Sequence, residues 1–124
     1  MREIDLPQRS PRGGRRKLDR LWLEALERSG PSIILAHAPA TPPAELSRGI
    51  EEFNQMLFWH CHETLEGLWL NTAYPLRLFY QAVIKVSVGF QHLSRHNRLG
   101  ARAQLADAVR LLRLMPPSFL GVRN

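Results

Sequence analysis

The chain has 124 residues, 44% of them hydrophobic, which is enough for one globular domain with a modest core. No apolar run approaches the ~18 residues that span a bilayer, and the charged start lacks the apolar stretch of a secretory signal, so membrane-spanning and exported classes are set aside. The single cysteine, Cys61, excludes an intrachain disulfide framework and a Cys-rich zinc site and fits a reducing cytoplasm, while the net charge of +6 divides into +4 over residues 1–20, −5 over 21–66 and +7 over 67–124.

Residues 1–14 hold Pro7, Pro11, Gly13 and Gly14 among scattered arginines and read as a mobile basic arm ahead of one helical domain over residues 15–124. Leu18, Leu21, Trp22, Ala25 and Leu26 repeat at three- and four-residue steps, the stripe of an amphipathic helix. Gly30 and Pro31 end it, the glycine suiting the left-handed position after a helix. Ile33 to Ala36 reads as a short strand-like stretch or an extended connector. Thr41 is the expected N-cap of the next helix, with Pro42 in its first turn. Leu46, Ile50, Phe53 and Leu57 mark its apolar face. Either this helix runs unbroken into the segment that follows, or a turn at Asn54 to Leu57 makes an αα-hairpin with it, the arrangement expected here.

That segment, His62-Glu63-Thr64-Leu65-Glu66-Gly67-Leu68-Trp69, is the most informative of the chain. At about 100° per residue, Trp69, Phe58 and Leu65 fall on one side of His62 and Glu66 on the other, all within one narrow arc. An imidazole and a carboxylate therefore sit in an arc that faces the core. Burying such groups without partners costs roughly 2–7 kcal/mol, so the fold must supply partners or a ligand. Glu63 lies at the edge of that arc, Trp59 and Trp69 read as core or as pocket walls, and Cys61 reads as a small buried hydrophobe.

Asn71 to Pro75 is a break. Residues 76–95 are then apolar on nearly all sides, as in a central, buried helix. Gln81, Lys85 and His92 share one narrow strip of that helix, beside Gly89. His96-Asn97 forms a helix-ending turn. A last amphipathic helix over 98–115 places Ala101, Leu105, Ala108, Leu112 and Met115 inward and Arg102, Arg110 and Arg113 outward. Pro116-Pro117 stops it. No internal repeat and no strong strand pattern is legible.

The two polar strips are expected to face each other, Glu66 accepting from Lys85 or Gln81 and His62 meeting His92 or Glu66. Three readings fit such a cluster. It is a satisfied network that sets helix register; or a metal site of His62, Glu66 and His92, the basis of a metal-assisted hydrolase, disfavoured by the adjacent lysine and by the lack of a second histidine at position 66; or a small-molecule or acid–base pocket. No cofactor is predicted. The basic ends raise nucleic acid or an acidic partner as alternatives. The plainer reading packs an acidic helical half beside a basic one, because no aromatic-interleaved basic strip accompanies the charge. The composition leaves oligomeric state open.

Residues 46–122 resemble a small all-α family of prokaryotes and plastids, domain of unknown function family 309. The resemblance rests on Gly49-Ile50, Phe53-Asn54, His62-Glu63-x-Leu65-Glu66-x-x-Trp69, Gln81, His92-Leu93, Asn97, Gly100-Ala101 and Phe119-Leu120-Gly121-Val122. It implies a compact helical bundle and points to His62, Glu63, Glu66 and Trp69 as the positions of functional interest, without implying an activity. The chain departs from the family's pattern at Gly67, where a second acid is usual, at Met56, where a turn glycine is usual, and at Lys85, where glutamine is more typical. The expected architecture is all-α: an αα-hairpin packed on two further helices, with an extra N-terminal helix alongside.

Overall fold

The computed structural model describes residues 14–116, 118–120 and 122–123. The basic arm expected over residues 1–14 lies outside them but for Gly14. The described residues form α1 (Gly14–Ser29), α2 (Ser32–His37), α3 (Ala44–Asn54), α4 (Phe58–Leu70), α5 (Leu76–Ser94) and α6 (Arg98–Leu112). A two-residue antiparallel pair, β1 (Ser118–Phe119) with β2 (Val122–Arg123), follows. The architecture is all-α, with the expected hairpin, α3–α4, packed through α4 onto α5 and thence onto α6.

The helices begin and end for local reasons. Gly30 ends α1 at φ 69°, the left-handed conformation foreseen for it. Ile33 to Ala36, expected to be extended, is instead part of α2. Ile33 and Ile34 turn inward together there, and Leu35 points out. The start of α3 also differs from expectation: Pro43, not Thr41, is the N-cap, and no side chain caps the helix. Leu57, expected on the apolar face of α3, lies in the turn and is exposed. The last helix stops at Leu112, although Met115 beyond it is still buried. One continuous core joins Trp22 and Leu26 of α1, Ile34 of α2, Leu46 of α3, Leu65 of α4, Phe79 of α5, Leu111 of α6 and Phe119 of the terminal pair. Phe119 meets Phe79 edge-on at 4.8 Å.

A repeat that the sequence conceals emerges in the backbone. A forty-residue step relates Gly49 to Gly89, Met56 to His96, Cys61 to Ala101 and Leu65 to Leu105. Met56 and His96 occupy the same turn position with the same left-handed backbone, φ 64° and 62°. Leu57 N–H donates to Glu52 C=O at 2.9 Å, and Asn97 N–H to His92 C=O at 2.8 Å. A Cβ on Gly49 would stand 2.8 Å from Leu65 Cγ, and one on Gly89 2.7 Å from Leu105 Cγ. The chain thus builds α3–α4 and α5–α6 as two copies of one hairpin. In each, a glycine lets the backbone approach a leucine of the facing helix. Side-chain identity hides the likeness because few equivalent positions keep the same residue.

Gly67, in contrast, has nothing within 4 Å of an added Cβ. Gly49→Ala is therefore expected to lower stability by roughly 1–2 kcal/mol, overpacking against Leu65 outweighing the gain in helix propensity. Gly67→Ala is expected to raise it by about 0.5–1 kcal/mol. Urea denaturation of the two variants checks both signs.

Candidate functional site

The arc predicted for α4 holds together. Phe58, Cys61 and Leu65 are buried, and His62, Glu66 and Trp69 flank them at the half-buried margin. His62 Nε2 lies 3.3 Å from Glu66 Oε2, one helical turn along, with side chains 22% and 46% exposed. The pair sits at the lip of the core rather than within it, which removes most of the desolvation cost that a buried pair would carry.

From α5, Gln81 and Lys85 join the same place. His62, Glu66, Trp69, Gln81 and Lys85 line one cleft of about 560 Å³, closed by Asp19 of α1, Ile84 of α5 and Gln104 and Asp107 of α6. A neighbouring hollow of about 400 Å³ shares Asp19, Gln81, Lys85 and Asp107 with it and extends along α1 and the end of α6. The two polar strips do face one space, but the pairing differs from expectation. Lys85 Nζ contacts Asp107 Oδ2 of α6 at 3.5 Å, not Glu66. Asp107 also takes a hydrogen bond from Arg110, and Asp19 takes one from the Tyr74 hydroxyl.

His92 does not reach the cleft. It lies seven residues beyond Lys85, about 10 Å along the helix axis, and its Nδ1 is 3.3 Å from Asn97 Nδ2 in the α5–α6 turn. Asn97 caps α6 there by accepting from Gly100 N–H at 2.9 Å. Glu63 is exposed and does not line the cleft. Trp59 is exposed too, because it points outward from α4 while its neighbour Phe58 points in; of the two tryptophans, Trp69 lines the cleft. The far side of Trp69 carries the Arg77 guanidinium, 4.2 Å above the ring. The set His62, Glu66 and His92 is therefore not assembled. Among the described residues no group of three His, Cys, Asp or Glu side chains is placed to hold a metal ion.

Asp19, Gln104 and Asp107 escaped the sequence reading. Asp107 had left a signal: it is the lone acid in a segment with eight basic residues. Two buried acceptor-capable atoms of the cleft residues, His62 Nδ1 and Gln81 Oε1, have no hydrogen-bond partner among the described residues. Cys61, on the inner face of α4, behaves as expected of a small hydrophobe. Burial pushes its thiol up to about 11, a hydrogen bond with Ser87 opposing the shift and the Glu52 charge adding to it.

With this geometry in view, the comparison with known families is informative. Residues 46–104 match the model of the family described as Domain of unknown function (DUF309). This is the family that the sequence resembles, and the match runs from α3 into α6. No curated protein and no solved structure matches the chain. No helix among the described residues is long and apolar enough to cross a membrane.

Three outcomes follow. Because Lys85 is satisfied by Asp107 and Glu66 is nearly half exposed, Glu66→Leu is expected to change stability by less than about 1 kcal/mol in chemical denaturation. The folded chain holds the Cys61 proton more tightly than the unfolded chain, so stability is expected to decline as pH rises from 9 towards 11. At pH 8, alkylation of Cys61 is expected to be at least about a hundredfold slower in the folded chain than in urea, as read by mass spectrometry.

Proposed function

We propose that the cleft between α4, α5, α6 and α1 binds a small polar molecule rich in hydrogen-bond donors, such as an amine, an amide or a polyol. The observation that carries this reading is the pair of buried atoms, His62 Nδ1 and Gln81 Oε1, left without partners beside a 560 Å³ cleft. Buried polar atoms are nearly always paired, and each unpaired one costs about 1–3 kcal/mol. With Nε2 donating to Glu66, a neutral His62 keeps its Nδ1 lone pair as an acceptor. Gln81 offers a carbonyl oxygen, and the Glu66 and Asp107 carboxylates accept as well. Lys85 is the one cation lining this cleft, and it is engaged by Asp107. Trp69 supplies an apolar wall on which the carbon skeleton of such a molecule rests. A cleft of this size with few convergent polar groups is the usual form of a small-ligand site.

The test is ligand-observed NMR on the full chain with three matched fragment sets: primary amines and polyols as donors, carboxylates as acceptors, and plain hydrocarbons. Donor fragments are expected to bind selectively, and Gln81→Leu is expected to weaken them at least about tenfold. Preferential binding of carboxylates, or donor binding indifferent to Gln81→Leu and Glu66→Gln, overturns the proposal.

A further inference from the structure

Among the described residues eight large apolar side chains are exposed; Leu35, Leu70 and Val109 stand apart, and the other five gather at one end. Met56, Leu57, Trp59, Leu93 and Leu99 all lie in or next to the α3–α4 and α5–α6 turns, with Met56 73% and Leu99 81% exposed. The two turns share one end of the array. The start of α4 runs beside the end of α5, where Phe58 stacks on Phe90 at 5.6 Å and Phe53 meets the same ring edge-on at 5.3 Å. Trp59 and Leu99 are repeat equivalents, each the second residue of the helix leaving its turn. This end thus presents the same apolar knob twice, a concentration that a surface without a partner rarely shows.

The two knobs carry opposite surroundings. Over Ala44–Leu70, five carboxylates stand against one arginine; over Leu76–Leu112, six lysines and arginines stand against one aspartate. Near the turns the acids are Glu51, Glu52 and Glu63, and the bases are Arg95, Arg98 and Arg102, all but Glu52 exposed. Only His62, Lys85 and Arg110 pair with acids among the described residues, so Arg95, Arg98 and Arg102 meet none.

We infer that this end face is a self-association surface, and that its partner is a second copy of this chain. A two-fold axis perpendicular to the hairpins and passing between them lays the acidic α3–α4 end of one copy on the basic α5–α6 end of the other. The same contact is then made twice. The alternative two-fold axis sets acid on acid and base on base, so the charges select one arrangement. An isologous contact requires a patch complementary to itself after rotation, and the duplicated hairpin with inverted charge supplies one. Trp59 and Leu99 form the apolar centre, with the charges as a rim that fixes orientation and hastens encounter. Four helix ends, each about 10 Å across, give a footprint smaller than that of a permanent dimer, so association is of micromolar strength and concentration-dependent.

Sedimentation equilibrium of the full chain tests this. The average mass is expected to rise from the 14.2 kDa monomer towards twice that value with concentration. Leu99→Asp is expected to abolish the rise. The double variants Arg98→Glu/Arg102→Glu and Glu51→Lys/Glu63→Lys are each expected to weaken association at least about tenfold alone, and their equimolar mixture to restore it. Circular dichroism confirms that each of these surface variants is folded. A monomer at every concentration overturns the inference, as does a dimer insensitive to Leu99→Asp and to both charge reversals. A chain that stays monomeric yet binds a poly-glutamate peptide through Arg98 and Arg102 also overturns it, and assigns the face to an acidic partner.

Discussion

The seam between α4 and α5 is the contact on which the rest of the molecule depends. Cys61 and Leu65 on α4 and Ser87 on α5 are buried along it, the Cys61 thiol sharing a hydrogen bond with Ser87. With no bulky polar group inside this seam, the two helices pack closely and bring their polar margins into register. His62 and Glu66 then project from one side of the junction and Gln81 and Lys85 from the other. The cleft lies between these two margins. Asp19 from α1 and Asp107 from α6 close it.

The site is therefore built from edges of helices, and this sets its electrostatics. The charged groups each have a near partner: His62 pairs with Glu66, Asp107 with both Lys85 and Arg110, and Asp19 with the Tyr74 hydroxyl. Half-exposed pairs of this kind contribute little to stability, so the constellation is a poor candidate for a structural clamp. His62 Nδ1 and Gln81 Oε1 are left without partners among the described residues, and the proposed ligand reading rests on them.

The duplicated hairpin gives the fold two different uses of one geometry. In both copies a glycine admits a leucine from the facing helix, and a residue with left-handed backbone turns the chain. Met56 holds that conformation without the freedom of a glycine. A side chain pays for the left-handed turn, and the same methionine extends the apolar end face. The first hairpin keeps His62 and Glu66 at the positions where the second has Arg102 and Ala106. The first hairpin contributes His62, Glu66 and Trp69 to the cleft, and the second contributes Gln81, Ile84, Lys85, Gln104 and Asp107.

Five of the six helices, the all-α class and the shared margin of His62, Glu66 and Trp69 were legible in the sequence, because apolar spacing reports the angle of a side chain about its helix axis. Angle is half of a position. Gln81, Lys85 and His92 share one strip, yet the 10 Å of axial rise between Lys85 and His92 puts the histidine in the α5–α6 turn, and spacing on a wheel does not record height. Which carboxylate meets Lys85 depended on how α6 lies against α5, a long-range packing choice that selected Asp107 over Glu66. The extended reading of Ile33 to Ala36 failed because a six-residue segment takes its conformation from the core it covers. The repeat stayed hidden because backbone geometry was kept while side chains diverged. Local periodicity determined which faces turn inward; only the tertiary packing decided what each inward group would meet.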